Sequence, residues 1–178
     1  MIYVFLADGF EDMEAICPID VLKRGGLEVK TVGVGGIEIT SKSGILAKCD
    51  IGEDDIDYSK MEGVILPGGI PGVPNLKKSE AVLKAVKYAA DNSLLVGAIC
   101  AAPSILGEMG LLKGKKATCY PGFEEEFKET YTGNSVEKDG NFITAKGAGV
   151  SLLFALELLK ALKGEDKAKE IADGMMCK

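Results

Sequence analysis

Short apolar runs rich in β-branched residues alternate along this chain with segments of helical periodicity, and the connections between them are short. The clearest runs lie at residues 1–8, 27–34, 63–66 and 94–99. Repeated strand-then-helix units favour a mainly parallel sheet with helices on both faces. The sequence therefore predicts a doubly wound α/β fold, and its 178 residues favour a single domain over residues 1–178.

The apolar spacing also predicts the positions of the individual elements. Helices are expected up to about Arg24 and at residues 79–92, 101–107, 149–162 and 165–173. Residues 37–50 are predicted to form short strands or a hairpin, and 136–144 a hairpin that turns at Asp139-Gly140. Further predictions are a loop or short helix at 52–57, a shaped Gly- and Pro-rich loop at 67–72, a strand at 116–120 and a short helix at 124–129.

Charge and composition exclude several classes of function. The net charge of −6 argues against a nucleic-acid or anionic-membrane partner, and no apolar run approaches the roughly 20 residues that span a bilayer. The first apolar run has no basic segment before it, so we expect a first strand, not a signal peptide, and a cytoplasmic protein with reduced thiols. No phosphate-loop or dinucleotide motif is present, and we expect no cofactor.

The five cysteines and the absence of histidine limit the chemistry further. No C-x-x-C pair exists, and without histidine a metal site is not expected. A Cys-His or Ser-His-Asp arrangement within the chain is excluded. Any general base must therefore be a carboxylate, a lysine, a tyrosine or a second thiol.

Cys100 stands where the strand at 94–99 ends and a helix begins. Ligands of such sheets bind beyond the carboxyl ends of the strands, and the stretches 8–14 and 67–72 are expected at the same edge. The amino end of the next helix would lower the thiol pKa and make Cys100 a nucleophile. The alternative is that Cys100 is only a small buried residue, which is the reading favoured for the other four cysteines.

A carboxyl group beside a thiolate is compatible only if that carboxyl is protonated, so that the pair shares one proton. Glu11 and Glu14 both follow the first strand, and periodicity does not choose between them. The backbone N–H groups of Gly68, Gly69 and Ala101 are candidates for holding an oxyanion.

Four stretches together carry a family resemblance: Ala7 to Glu14, Leu66-Pro67-Gly68-Gly69, Ala98 to Pro103, and Thr144 to Gly149. The chain resembles the parkinsonism-associated deglycase family within the ThiJ/PfpI superfamily. The resemblance implies a flavodoxin-like fold, a homodimer, and a nucleophile elbow that carries Cys100 as the reactive cysteine. It also implies that Glu14 is the protonated partner and that the amides of Gly69 and Ala101 form the anion site.

The chain departs from that family at three positions. Protease-like members carry a histidine directly after the cysteine, and Ala101 stands there, so peptidase activity is not expected. Tyr120, beside Cys119, takes the place of a histidine near the site. Ser43 stands where relatives often have an arginine. Tyr120, Cys119 and Ser43 are therefore predicted to line the site.

Three functions follow from the resemblance together with the residues. The first is the cofactor-free conversion of small electrophiles, namely reactive dicarbonyls such as methylglyoxal, by a Cys100 thiolate supported by Glu14. The second is an oxidative-stress sensor or chaperone-like protein in which Cys100 is oxidised to sulfinic acid without catalysis. The third is a cysteine hydrolase of amides or esters.

Overall fold

A computed structural model of the protein describes residues 1–177. Seven of its strands form one sheet in the order β5-β2-β1-β6-β7-β9-β8, and only the pairing of β8 with β9 is antiparallel. The other two, β3 and β4, form a separate antiparallel hairpin. The strands are β1 Ile2–Leu6, β2 Val29–Gly33, β3 Glu38–Thr40, β4 Leu46–Lys48, β5 Ile51–Gly52, β6 Gly63–Leu66, β7 Leu95–Ile99, β8 Val136–Asp139 and β9 Phe142–Ala145.

Helices cover both faces of this sheet, as predicted. They are α1 Asp12–Arg24, α2 Gly72–Lys78, α3 Glu80–Asp91, α4 Pro103–Glu108, α5 Ser151–Lys163 and α6 Glu165–Gly174. Alternate residues of a strand point to opposite faces, so β1 contributes Tyr3 and Phe5 to the cluster under α2, α3 and α4. It contributes Ile2 and Val4 to the cluster under α1, α5 and α6.

The strand order identifies the fold. Taken in chain order, β1, β2, β6, β7 and β9 are five parallel strands that lie side by side as 2-1-3-4-5. That is the flavodoxin-like arrangement, in which the chain reverses direction across the sheet next to β1 and opens a crevice there. The sequence-based prediction of a doubly wound α/β fold is confirmed. No helix within residues 1–177 has the length and apolar character needed to cross a bilayer.

The predicted helix starts rest on identifiable caps. The Ser79 side chain accepts the N–H of Val82 at 3.1 Å and begins α3. The Glu11 carboxylate accepts the N–H of Glu14 at 2.9 Å and begins α1. The predicted hairpins are also present, with β3 paired to β4 and β8 paired to β9.

One local prediction is wrong. Residues 116–120 form no strand, and only Ala117 makes a single bridge, to Tyr131. The neighbouring N–H groups bond to side chains instead of a strand, because Lys116 donates to Asp139 and Thr118 donates to Thr144 Oγ1. The predicted loop at 67–72 is present, and at Gly72 it runs directly into α2, a seven-residue helix that was not predicted because glycine and proline lie at its start. The extent of the domain, residues 1–178, stays a prediction.

Candidate active site

Cys100 ends β7 in a strained backbone conformation. Its φ is +63°, a region that residues other than glycine rarely adopt. Two hydrogen bonds hold it there: the Cys100 N–H donates to Ala145 O, and Tyr120 N–H donates to Cys100 O, each at 2.8 Å. Such strain in a packed structure is typical of functional sites. The geometry is that of the predicted nucleophile elbow.

Glu14 lies beside this elbow and is almost completely removed from water. It belongs to the first turn of α1, and only 1% of the residue is exposed. Its Oε2 accepts the N–H of Gly68 at 2.9 Å. Its Oε1 is buried and has no hydrogen-bond partner. Glu11 instead caps the helix at the rim of the site, so burial distinguishes the two candidates that periodicity left open.

Gly68 brings the carboxyl group and the cysteine together. A Cβ at this position would stand 2.5 Å from Glu14 Oε2 and 2.6 Å from Cys100 Cβ, so only glycine fits between them. The Gly68 N–H points at Glu14 and is not available to an oxyanion. The prediction that Gly68 contributes an oxyanion amide is therefore wrong, because the buried carboxyl already uses that donor.

Burial and mutual charge determine how the Glu14–Cys100 pair holds its protons. Desolvation raises the pKa of Glu14 to about 7, with the charge of Glu11 adding to the rise. Desolvation, and next the charge of an ionised Glu14, raise the pKa of Cys100 to about 12. The pair therefore keeps one shared proton across the pH range from about 7 to about 12.

The pKa of the Cys100 thiol is raised, whereas the sequence predicted that the helix after Cys100 would lower it. Its first residue is Pro103, and α4 has only six residues. Desolvation and Glu14 outweigh it, so the pKa rises whenever Glu14 is ionised. Burial and the charge of Glu14, and not the helix, therefore determine the pKa of the sulfur.

Two backbone amides favour a negative sulfur. The N–H groups of Ala101 and Gly69 act on Cys100 as donors and lower its pKa. Gly69 has a φ of +97°, and a Cβ there would overlap the carbonyl oxygen of Gly9, so glycine is required. These amides occupy the positions that the sequence predicted for an anion site.

A small open cavity of about 260 Å³ gives access to Cys100. The Tyr120 ring, 53% exposed, packs edge to face against Phe123 and forms an aromatic wall. The positive charge of Lys42 also reaches the site, since it lowers the pKa of Glu14. The lining residues are Glu11, Lys42, Gly69, Ile70, Cys100, Ala101, Tyr120 and Phe123.

Of the three residues predicted to line the site, the cavity includes only Tyr120. Ser43 is not part of the lining: its hydroxyl lies 3.2 Å from that of Ser41, and both serines lower the pKa of Asp12 by hydrogen bonding. Lys42, one residue earlier, takes its place in the lining. The family resemblance pointed to Ser43, one residue further along the hairpin. The sequence therefore did not predict that Lys42 lines the cavity.

Cys119 lies behind the cavity wall and is fully buried. Its sulfur is 3.8 Å from Glu124 Oε2, and burial raises its pKa to about 12, with Glu124 adding to the rise. Within residues 1–177, no group of three or more Cys, Asp or Glu side chains is placed to hold a metal ion.

Comparison with known proteins agrees with this geometry. The DJ-1/PfpI family pattern matches residues 1–161. Protein DJ-1 homolog B of Arabidopsis thaliana is 39% identical over 171 residues, which cover 94% of this chain and 39% of the plant protein. Protein dj-1beta of Drosophila melanogaster is 34% identical over 177 residues, which cover 97% of this chain and 95% of the fly protein. A solved structure, "Toxoplasma gondii DJ-1, oxidized", superposes with a TM-score of 0.95 at 30% identity, over 99% of this chain and 97% of that one. The resemblance noted in the sequence is confirmed, and the chain belongs to the DJ-1/PfpI family.

Proposed function

We propose that this protein converts small reactive dicarbonyls, such as methylglyoxal, into hydroxy acids through a Cys100 thiolate. One observation carries the proposal. The Glu14 carboxyl is 1% exposed, accepts the Gly68 N–H through one oxygen, and interacts with the Cys100 side chain. Burial favours the protonated acid, because a buried charge is costly.

The location of the shared proton decides whether the sulfur is reactive. If Glu14 holds it, Cys100 is a thiolate; if Cys100 holds it, the sulfur is neutral. Two features support the first arrangement: the amides of Gly69 and Ala101 stabilise negative charge on sulfur but not on Glu14. Desolvation acts in the same direction on both groups and does not decide between the two arrangements. The thiolate, and not the thiol, is the nucleophile.

The proposed reaction needs only groups of this chain and water. The Cys100 thiolate attacks the aldehyde carbon and forms a C–S bond, while the carbonyl electron pair moves to oxygen. The amides of Gly69 and Ala101 hold that oxyanion, and Glu14 then gives it a proton, which yields a hemithioacetal.

Glu14 next acts as a base. Its carboxylate removes the proton from the sulfur-bearing carbon, which leaves an enediolate. The hydroxyl proton of that carbon passes to the oxygen of the neighbouring carbon, and Glu14 returns its proton to the neighbouring carbon itself, so that the hemithioacetal becomes a thioester. Water hydrolyses the thioester, releasing the hydroxy acid and restoring the thiol. A carboxyl group with a pKa of about 7 suits both donation and removal of protons near neutral pH.

The cavity sets the size of substrate that the proposal allows. Its volume of about 260 Å³ is below the range of roughly 300–1,000 Å³ that holds drug-sized ligands. A three-carbon dicarbonyl fits this limit. The charge of Lys42 is suited to the carboxylate of the product, and Tyr120 offers a hydroxyl at the open side.

The test is hydroxy-acid formation from methylglyoxal by the full chain. We expect turnover by the wild type, loss of turnover in Cys100→Ser, and a fall of about 10²–10⁴ in kcat for Glu14→Gln. Cys49→Ser is the matched control, since Cys49 is a buried thiol outside the cavity. Absence of wild-type turnover would sink the enzymatic proposal, and turnover of activated esters alone would favour the hydrolase.

A second candidate is oxidation of Cys100 without turnover. The relative from Toxoplasma gondii has a solved structure that is described as oxidized. In this chain, the same two amides and a protonated Glu14 are suited to bind the oxygens of a sulfinic acid. Mild hydrogen peroxide should then add two oxygen atoms at Cys100, measured by peptide mass. Addition chiefly at another residue would contradict this role.

We also propose that the protein works as a homodimer in the reducing cytoplasm. Met13 and Ile16 are 56% and 52% exposed on α1, and these apolar side chains are suited to a second copy. Sedimentation of the wild type should give twice the chain mass, and Ile16→Glu should reduce it. A wild-type monomer at micromolar concentration would contradict the dimer.

A further inference from the structure

The aromatic wall of the cavity belongs to one short turn, residues 119–124, which is called the wall turn below. Tyr120 and Phe123 both line the cavity, and their rings meet edge to face with centroids 6.4 Å apart. The two residues between them, Pro121 and Gly122, are exposed and lie outside the core. The shape of the cavity on this side therefore depends on what holds the wall turn in place.

The two ends of the wall turn are fixed to the rest of the protein. At its start, the Tyr120 N–H donates to Cys100 O at 2.8 Å, and the Cys119 side chain is fully buried. After its end, the Phe127 N–H donates to Glu124 O at 2.9 Å, and the Phe127 side chain is buried in the cluster under α2, α3 and α4. Any movement of the aromatic wall must therefore occur in the stretch between these two anchors.

The Glu124 carboxylate joins the start of the wall turn to its middle. Its Oε2 accepts the N–H of Gly122 at 2.6 Å and lies 3.8 Å from the Cys119 sulfur, within reach of a thiol donor. Gly122 has a φ of +98°, and a Cβ there would meet no atom within 4 Å, so packing does not hold it. Glu124 is half-buried and is not among the residues that line the cavity. It can therefore act on the cavity only through the wall turn.

We propose that Glu124 is a positioning residue that holds Tyr120 and Phe123 at a fixed distance from Cys100. Without this carboxylate, the ends of the wall turn stay anchored while the aromatic pair between them loses its fixed place. A substrate with an aromatic substituent can contact the two rings, whereas the single methyl group of methylglyoxal contacts them little. The wall therefore favours oxoaldehydes that carry an aromatic ring, which deepens the proposed function and rests on it only where turnover is concerned.

The first measurement is the turnover of phenylglyoxal and of methylglyoxal by the full chain. In Glu124→Ala, we expect the KM for phenylglyoxal to rise by about three- to tenfold, the size of one aromatic contact. The kcat for both substrates and the KM for methylglyoxal should stay within about twofold, because the elbow keeps its own contacts. A fall in kcat for both substrates, or an equal rise in both KM values, would overturn the proposal.

The second measurement does not depend on catalysis. Cys100 is alkylated with iodoacetamide or with its N-phenyl derivative, and both rates are followed by peptide mass. Glu124→Ala should lower the ratio of the N-phenyl rate to the iodoacetamide rate by about three- to tenfold. If the wild type turns over neither oxoaldehyde and this ratio still falls, the proposed function fails while the role of Glu124 stands. An unaltered ratio would overturn that role.

Three further variants separate positioning from a loss of structure or charge. Glu124→Gln keeps an oxygen that can accept the Gly122 N–H, so its alkylation ratio should equal that of the wild type. Glu124→Met keeps the bulk of the side chain without an oxygen, so it should match Glu124→Ala and takes its place if that variant has a lowered Tm. Glu126→Ala is the matched control, since this exposed side chain makes no hydrogen bond to any residue that the structure describes. A lowered ratio in Glu124→Gln or in Glu126→Ala would assign the effect to charge and overturn the proposal.

Discussion

Replacement of Glu14 by glutamine should change how the stability of the protein depends on pH. Burial raises the pKa of this carboxyl from 4.5 to about 7. In the unfolded chain the carboxyl ionises near 4.5, whereas the folded Glu14–Cys100 pair loses its first proton near 7, so between these values the folded state binds one more proton. Stability from this group is therefore complete below pH 4.5 and is lost as the pH rises through about 7.

The size of the loss follows from the two pKa values. Each pH unit between them is worth about 1.4 kcal/mol, so the free energy of unfolding should fall by about 3 kcal/mol between pH 4.5 and 8 because of Glu14 alone. Glutamine does not ionise, and its carbonyl can still accept the N–H of Gly68. The difference between wild type and Glu14→Gln should thus change by about 3 kcal/mol over this range.

Urea unfolding followed by circular dichroism, at half-unit steps of pH and under reducing conditions, measures this difference. Glu11→Gln is the matched control, because it removes a carboxylate from the same stretch but keeps the buried one. It should retain most of the pH-dependent loss, slightly reduced, since the charge of Glu11 adds to the rise in the Glu14 pKa. Parallel curves for wild type and Glu14→Gln would refute the assignment of a buried protonated carboxyl.

Gly68→Ala places a methyl group against Glu14 and Cys100 and should lower the free energy of unfolding in urea by about 1–3 kcal/mol. Gly36→Ala is the control: Gly36 has open space around it, so this substitution should change the free energy of unfolding by less than about 0.5 kcal/mol. Ser79→Ala removes the cap of α3 and should cost about 1 kcal/mol in the same assay. Equal effects of the two glycine substitutions would contradict the steric role of Gly68, and an unaltered midpoint for Ser79→Ala would contradict the cap.

The elbow itself could be predicted from the sequence because its signal is local. An apolar run, a cysteine and a helix start follow one another without interruption, and parallel topology brings them to the edge where β1 and β6 also end. For this reason the sequence could place Cys100 and the glycines at 68 and 69 at one edge of the sheet, although it assigned the wrong role to the Gly68 N–H.

The remaining features of the site depend on contacts between distant segments. Lys42 reaches the cavity because its N–H donates to Phe10 O while Gly9 N–H donates to Thr40 O, which folds the hairpin back over the first loop. No periodicity within residues 37–50 carries that information. Likewise, the use of the Gly68 N–H by Glu14 depends on how α1 packs against β6, so the sequence alone could not assign that donor.

The proposed reaction depends most directly on which group of the Glu14–Cys100 pair holds the shared proton. The rate at which iodoacetamide alkylates Cys100, followed by peptide mass from pH 5 to 11, measures the thiolate directly, and Cys100→Ser identifies the signal. If Glu14 is a carboxylic acid beside a Cys100 thiolate, the alkylation rate should rise with a midpoint near pH 7. Glu14→Gln should move this midpoint upward, because an amide is a weaker hydrogen-bond donor than a carboxylic acid. A wild-type rate that is still climbing at pH 11, with no rise near pH 7, would place the proton on sulfur and contradict the proposed nucleophile.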